Sequence, residues 1–435
     1  MRRPQSIKLP ATIAPLYLSQ FATFVVPVAT IPFLTRTLTL PAWGQLAFMQ
    51  SCAGFLSIFI EYGFAFSGTR QVAETRHHPV LLSRVLSGVQ GAKLLLALCA
   101  VAACCLFGGF IPLLSSSPRL FWAGMLWAVG QALNLNWFFL GLERISKVTA
   151  IDLSLKLVAA SAMFVIVHGP GDAWKVLALQ AAALLLSAAI CWGVAAWRLP
   201  VSWPSPSSVG EALRQGRAAM LFRVAESSYT AGGPMFLGLF CDASAVGLYA
   251  GAEKICRGVM LSLLEPLQRS LYASVTTRIQ ISRAAAGVLV RKAAIWTALL
   301  ATGMSLAVFV LAPYIVRVAL GASFLPCTGV LRILCLLPPA VALKWSIGIH
   351  WMMPGGLGRQ FAQVVAGSCL LYIGLGVWLA GTAGAVGMAV TAAVVELAIP
   401  LACLISTQRA GMNLFAGSPG FPDLVNGTST VSSVP

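Results

Sequence analysis

Lys93-Leu94-Leu95-Leu96-Ala97-Leu98-Cys99-Ala100-Val101-Ala102-Ala103-Cys104-Cys105-Leu106-Phe107 is the stretch on which the fold class turns. It sits inside an apolar run over 85–109, and beyond its lysine it carries no polar side chain. A membrane-spanning helix needs ~20 predominantly apolar residues, whereas a barrel strand needs only ~10 and alternates apolar with polar. The run has the length of the first and lacks the alternation of the second. Similar runs recur near 12–35, 44–66, 120–140, 148–168, 174–197, 217–240, 246–268, 293–316, 327–352, 361–380 and 385–406, which makes twelve.

Composition agrees. Hydrophobic residues make up 58% of the 435 and charged residues 9%, against roughly 45–50% and 25% in soluble domains. Too little polar surface is left to cover such a chain in water, and in lipid only helices or closed barrels satisfy the backbone. The expected fold is an all-α polytopic membrane protein of about 12 transmembrane helices. Six helices precede the basic segment at 198–217 and six follow it, which predicts a six-helix lobe over 1–200, a basic cytoplasmic linker over 201–216, a second six-helix lobe over 217–407 and a disordered cytoplasmic tail over 408–435. One internal echo supports the halves: Trp43-Gly44-Gln45-Leu46-Ala47 aligns with Val246-Gly247-Leu248-Tyr249-Ala250. An even number of helices per half makes such a repeat parallel, with a central cavity between the lobes.

The net charge of +17 does not signify nucleic acid, because the Lys and Arg lie in short segments between apolar runs. With both termini cytoplasmic, eighteen basic residues fall inside, four (Arg36, Arg119, Lys175, Arg317) outside and seven in the helices; the positive-inside rule then fixes the orientation. Arg2-Arg3 before the first run is read as a flank of that first helix rather than a signal peptide, since no small-residue cleavage site follows. The eleven cysteines are scattered through apolar runs without a CxxC, so packing is expected and neither metal nor cofactor. The four histidines fall at predicted loops or helix ends and are expected at the surface. No Walker A, GxSxG or HExxH sequence occurs, which argues against an enzyme.

Charges inside the runs are expensive and usually face a cavity or a partner. The thirteen candidates are Glu61, Lys93, Asp152, Lys156, Arg223, Glu226, Glu253, Lys254, Arg257, Glu265, Arg332, Lys344 and Glu396. Helical spacing allows Asp152 to pair with Lys156, Arg223 with Glu226 and Glu253 with Arg257. Lys93, Glu265 and Lys344 lie near predicted helix ends and are expected to snorkel. The cluster Glu253, Lys254 and Arg257 occupies one turn deep in a run, and its two cations suit an anionic group such as a diphosphate. Coupling to an ion gradient needs a buried carboxylate, for which Glu61, Asp152, Glu226 and Glu396 are eligible, with Glu253 a further cavity carboxylate.

Several short motifs resemble those of the Wzx-type polysaccharide flippases. They are Pro32-Phe33-Leu34-Thr35-Arg36, Trp43-Gly44-Gln45-Leu46-Ala47, Glu61-Tyr62-Gly63-Phe64 running to Ser67-Gly68-Thr69-Arg70, Trp137-Phe138-Phe139-Leu140-Gly141-Leu142-Glu143, Val246 through Ile255, and Val330-Leu331-Arg332-Ile333-Leu334. Thr39 after Leu38, where such proteins usually carry Gly, departs from the pattern. The resemblance implies the multidrug/oligosaccharidyl-lipid/polysaccharide exporter fold, MATE-like, with two lobes opening alternately to either side of a bacterial inner membrane. It implies an undecaprenyl-diphosphate-linked oligosaccharide as substrate for O-antigen or exopolysaccharide assembly, with membrane lipid and a glycan polymerase and chain-length regulator as neighbours. The substrate-binding residues expected on that reading are Lys254 and Arg257, helped by Arg223 and Lys156, with Arg70 matching a family position. A drug or metabolite cation antiporter of the same fold and a lipid II flippase are the alternatives; the basic lean of the intramembrane charges disfavours the first and the count of twelve helices the second.

Overall fold

The computed structural model describes residues 26, 29–197, 199–200, 202–279, 282–412 and 414. The start of the first apolar run and nearly all of the C-terminal tail therefore lie outside the described residues. No strand occurs among those described. Helix α1 covers 29–37. It is followed by α2 (Leu40–Glu61), α3 (Phe64–Thr75), α4 (Pro79–Phe107), the single turn α5 (Pro112–Ser115), α6 (Pro118–Leu133), α7 (Asn136–Gly141), α8 (Ile145–Ile166) and α9 (Ala173–Ala196). The second half holds α10 (Pro206–Thr230), α11 (Gly233–Gly238), α12 (Ala243–Ile279), α13 (Arg283–Ala319), α14 (Thr328–Leu334), α15 (Leu337–Lys344) with a π-helical continuation over Trp345–Met352, and α16 (Gly358–Arg409).

Proline marks the starts. It occupies the first turn of α2, α4, α6 and α10, where its missing N–H costs nothing. Among the described residues the apolar runs fall mainly on helix, with breaks at 62–63, 134–135 and 231–232, and the chain is an all-α polytopic membrane protein. Among the described residues, seven helical segments are long and apolar enough to cross a membrane by length and composition. The last of these, α16, contains two runs, separated at Gly384, whose φ of 56° breaks the helix. The segments that miss the criterion are informative: α6 stops at Leu133 because the backbone breaks there, while α12 carries Glu253, Lys254, Arg257 and Glu265. Residues 206–216 of the basic linker are the opening turns of α10, capped by Ser205, whose Oγ accepts from Ser208 N–H at 3.2 Å.

The breaks are held by side chains. Between α6 and α7 the chain turns extended at Asn134 (ψ 140°), which frees carbonyls at the end of α6. Lys93 supplies the donor: its Nζ reaches the Ala132 oxygen at 2.7 Å and the Asn134 oxygen at 3.3 Å, above the Trp137 ring. Lys93 is 1% exposed, so it does not snorkel; the unpaired carbonyls provide a buried partner that no helix-end position offers. Between α2 and α3, Tyr62 and Gly63 adopt φ of 51° and 76°. Glu61 caps the restart, accepting from Gly63 N–H at 3.2 Å and Ala65 N–H at 2.5 Å.

Close-packed glycines join the elements, and the motifs quoted above sit at these seams. A Cβ on Gly44 of α2 would lie 1.7 Å from the Ala243 carbonyl oxygen at the start of α12. A Cβ on Gly247 would meet the Leu40 oxygen at 2.7 Å. The echoed segments of the two halves thus pack on each other reciprocally. Likewise a Cβ on Gly68 would strike Trp137 at 2.6 Å, and one on Gly141 would strike Val72 at 2.7 Å; Thr69 Oγ1 donates to the Trp137 oxygen at 3.0 Å. Helix α10 packs first on α3 and α4 of the first half and then on α16 of the second, which makes it a strut between them.

Two further expectations are corrected. Lys344 is 5% exposed and Glu396 4%, and Lys344 Nζ contacts the two Glu396 carboxylate oxygens at 2.8 and 3.1 Å while lying 5.2 Å from the Tyr229 ring centre. An ion pair, rather than the interface, accommodates this lysine. His350 lies in the π-helical segment and is 2% exposed; His77, His78 and His168 are exposed as expected. The π-helix sets its ring inward, 6.1 Å from Tyr272.

Candidate functional site

Helix α12 brings Glu253, Lys254 and Arg257 to the seam it forms with α2. Lys254 lies about 16 Å along α12 from Ala243, at 1.5 Å per residue. Arg257 Nε and Nη2 both donate to Glu253 Oε1, at 3.1 and 2.9 Å, on neighbouring turns of one face. The side chains are 35% and 11% exposed, so the pair keeps one open edge. Lys254 points toward α2. Its Nζ donates to Gln50 Oε1 at 3.3 Å and stands 5.8 Å from the centre of the Trp43 ring. No carboxylate lies within 4 Å of Lys254 among the described residues. An ammonium has three donors, and only one is engaged, so two remain for an anionic oxygen.

Gln50 extends the polar contact into the first half, where its Nε2 donates to Gln180 Oε1 of α9 at 3.5 Å. Gln180 lines a cavity of about 300 Å³, together with Thr30 of α1, Trp127 and Gln131 of α6, and Asp152 and Lys156 of α8. Lys156 Nζ pairs with Asp152 Oδ2 at 2.7 Å, with the lysine side chain 51% exposed and the aspartate 13%. Asp152 Oδ1 is buried without a partner among the described residues. The arrangement therefore joins a cation on α12 to a polar cavity in the first half by way of two glutamines.

Of the residues singled out from the sequence, the structure gathers Glu253, Lys254 and Arg257 with one another, and Asp152 with Lys156. Arg223 and Glu226 form no ion pair, because three-residue spacing permits a contact without imposing it; Arg223 Nε is buried on α10 with no partner among the described residues. Glu61 is engaged in capping α3. Arg70 stands 80% exposed on α3, paired with Glu74 at 2.8 Å, apart from the seam. Arg332 lies against the Phe309 ring, 5.2 Å from its centre. Sequence reading missed Gln50, Gln131, Gln180, Trp43 and Trp127. A signal for the amides was present: each glutamine interrupts an otherwise apolar run, and a buried amide needs a partner.

Comparison with known proteins extends beyond this geometry. A family model for polysaccharide biosynthesis proteins matches residues 11–272. Proteins of Escherichia coli (strain K12) and Shigella dysenteriae, each named "Putative O-antigen transporter", are both 22% identical to this chain. The first match covers 81% of this chain and 85% of the relative, the second 89% and 96%. Among solved structures, the lipid II flippase MurJ in its inward closed conformation aligns with a TM-score of 0.72 at 12% identity, over 91% of this chain and 87% of that one. An inward-facing multidrug resistance MATE family transporter of the MOP superfamily aligns with a TM-score of 0.61 at 14% identity, over 89% and 98%. At such identities the structural likeness is one of fold.

Proposed function

The chain belongs to the polysaccharide biosynthesis protein family, and from that premise we propose that it flips a lipid-linked oligosaccharide, an undecaprenyl-diphosphate-linked repeat unit, from the cytoplasmic to the periplasmic leaflet of a bacterial inner membrane. The observation that carries the reading is Lys254, an ammonium on the seam between α2 and α12 with no carboxylate partner among the described residues and two donors to spare. A diphosphate leaving the headgroup region loses its hydration, and charge-assisted hydrogen bonds from an ammonium and a guanidinium replace it. Arg257, held in place by Glu253, presents its remaining edge to the same ligand. A cation substrate would meet repulsion from Lys254, so the anionic cargo is favoured over an antiported drug.

In this proposal the two six-helix halves are the lobes of an alternating-access transporter, and both termini are cytoplasmic. The side carrying the α1–α2 turn is then periplasmic, and it is closed by the Gly44–Gly247 seam and by Arg36 Nη2, which donates to the Val318 oxygen at 2.6 Å. The cargo enters from the cytoplasmic side with its lipid tail left in the bilayer, and it is delivered outward for O-antigen or exopolysaccharide assembly, with a glycan polymerase and chain-length regulator as neighbours.

The test is deletion of the gene in its native bacterium, with surface polysaccharide and undecaprenyl-linked oligosaccharide followed together. Loss of surface glycan and retention of the lipid-linked intermediate on the cytoplasmic leaflet are expected, with rescue by the wild type and none by the double variant Lys254→Ala, Arg257→Ala. Normal surface glycan with altered dye efflux would replace this reading with the antiporter.

A further inference from the structure

We infer that Ser51 is a hydrogen-bonding latch between the two halves: a hydroxyl of α2 that fills a gap in the backbone ladder between α10 and α11 while the seam is closed, and that returns to its own helix when the halves part. The inference rests on the alternating-access reading above and names a residue on which that equilibrium turns.

The gap is an ordinary helix bond left unmade. In a continuous helix Met235 N–H donates to the carbonyl of Ala231, four residues back. Here α10 ends at Thr230, Ala231 leaves helical geometry (φ −131°), and the Ser51 hydroxyl stands between the two groups. It donates to the Ala231 oxygen at 2.7 Å and accepts from Met235 N–H at 3.3 Å. Pro234 has no N–H to offer Thr230, so the ladder is already interrupted at this point. A side chain inserted into such a ladder kinks the helix, and this one comes from the other half of the chain.

Ser51 belongs to the seam. Gly44, Phe48 and Ser51 lie on one face of α2, at helical spacing, and each meets the second half. Gly44 faces Ala243, Phe48 faces Gly238, where a Cβ would strike its ring, and Ser51 faces the break. The first two contacts are made by shape. Ser51 adds direction, because its hydroxyl is aimed at two backbone groups at once. Other helical hydroxyls show the alternative open to it: Ser228, Thr230, Ser368 and Ser406 each donate to the carbonyl four residues earlier in their own helix. For Ser51 that carbonyl belongs to Ala47.

Parting the halves therefore exchanges one set of bonds for another. In the closed arrangement Ser51 donates to Ala231 and accepts from Met235. In the open one Ser51 donates to Ala47, and Met235 N–H closes directly on the Ala231 oxygen. The number of bonds is conserved and neither arrangement orphans a backbone group, which gives the element two satisfied states, as a switch requires. Removing the hydroxyl breaks that balance. The closed state loses both of its bonds, whereas the open state keeps the bond between Met235 and Ala231, so Ser51→Ala favours opening by about tenfold, the effect of roughly one net hydrogen bond.

The experiment places nitroxide-bearing noncanonical residues at Thr39 and Ser323 in the full chain in nanodiscs and reads their separation by pulsed EPR. Both positions are exposed, one in each half, on the face where Arg36 meets Val318, and such labels bypass the eleven native cysteines. The wild type is expected to show a dominant short distance, and Ser51→Ala to raise the ratio of a longer distance to the short one about tenfold. Ser51→Thr and Ser51→Val, alike in shape and different in the hydroxyl, supply the same comparison if the alanine variant fails to fold: the threonine variant keeps the wild-type ratio and the valine variant shifts it. A purely local packing role for Ser51 moves neither ratio. The latch is overturned if the ratio is the same with and without the hydroxyl. A longer distance absent from the wild type and every variant, with and without a short-chain prenyl diphosphate, removes the parting of the halves on which the transport reading stands, and the latch with it.

Discussion

Replacing Lys344 by Met leaves the Glu396 carboxylate 6% exposed with its ammonium gone. The intact pair has both oxygens engaged, at 2.8 and 3.1 Å, and Tyr229 covers the ammonium, so neither charge is compensated by solvent. Removing one partner of such a pair costs about 3–5 kcal/mol, whereas replacing both by apolar residues of similar volume is often neutral or stabilising by about 1–4 kcal/mol. The single variants Lys344→Met and Glu396→Leu are therefore each expected to lose roughly 3 kcal/mol or more, and the double variant to recover most of it. Tyr229→Leu removes a desolvated cation–π contact and costs about 2 kcal/mol. The assay is unfolding of the purified protein in mixed micelles by increasing SDS, followed by far-UV circular dichroism, as a double-mutant cycle. Single variants within about 1 kcal/mol of wild type, or a double variant as unstable as the sum of the singles, would refute the claim that the two charges depend on each other.

Lys93→Met strips the donor from the Ala132 and Asn134 carbonyls at the α6–α7 break and is expected to cost about 1–3 kcal/mol in the same SDS titration. Gly44→Ala sets a methyl group against the Ala243 oxygen and is expected to lower surface glycan at unchanged protein level; Gly193→Ala, whose Cβ meets nothing within 4 Å, leaves it unchanged. Arg70→Ala removes an exposed contact with Glu74 and is expected to leave prenyl diphosphate binding as in the wild type, in contrast to Arg257→Ala. Titrating prenyl diphosphate into the two variants separates a surface anchor from a ligand contact.

The helices were legible because a bilayer demands ~20 apolar residues per crossing, and that demand is written locally. The Gly44 and Gly247 segments were legible as an echo, although only the structure shows that they touch. The partners of the charges were not legible. Lys93 and Lys344 both stood near predicted ends, but the frayed carbonyls after Leu133 and the Glu396 carboxylate, far off in sequence, decided their fate. Spacing also suggested Arg223 with Glu226 as readily as Glu253 with Arg257, and only the second pair forms. The α2–α3 break was foreshadowed by Gly63, a residue suited to positive φ, and the α6–α7 break by Asn134, whose Oδ1 accepts from Asn136 N–H at 2.7 Å, whereas the lysine that holds its carbonyls comes from another helix.

The contact between Gly44 and Gly247 brings two backbones together without a side chain between them and without a titratable group. What it loses on parting is dispersion and the weak Cα–H···O contact of Gly44 with the Ala243 oxygen, small attractions that fall away together over a fraction of an ångström. A seal of that kind has no protonation state to be locked by. Its opening is governed by shape and temperature, and the charges nearest to it on the same seam are Glu253 and Lys254, about 10 Å along α12 from Gly247 at 1.5 Å per residue.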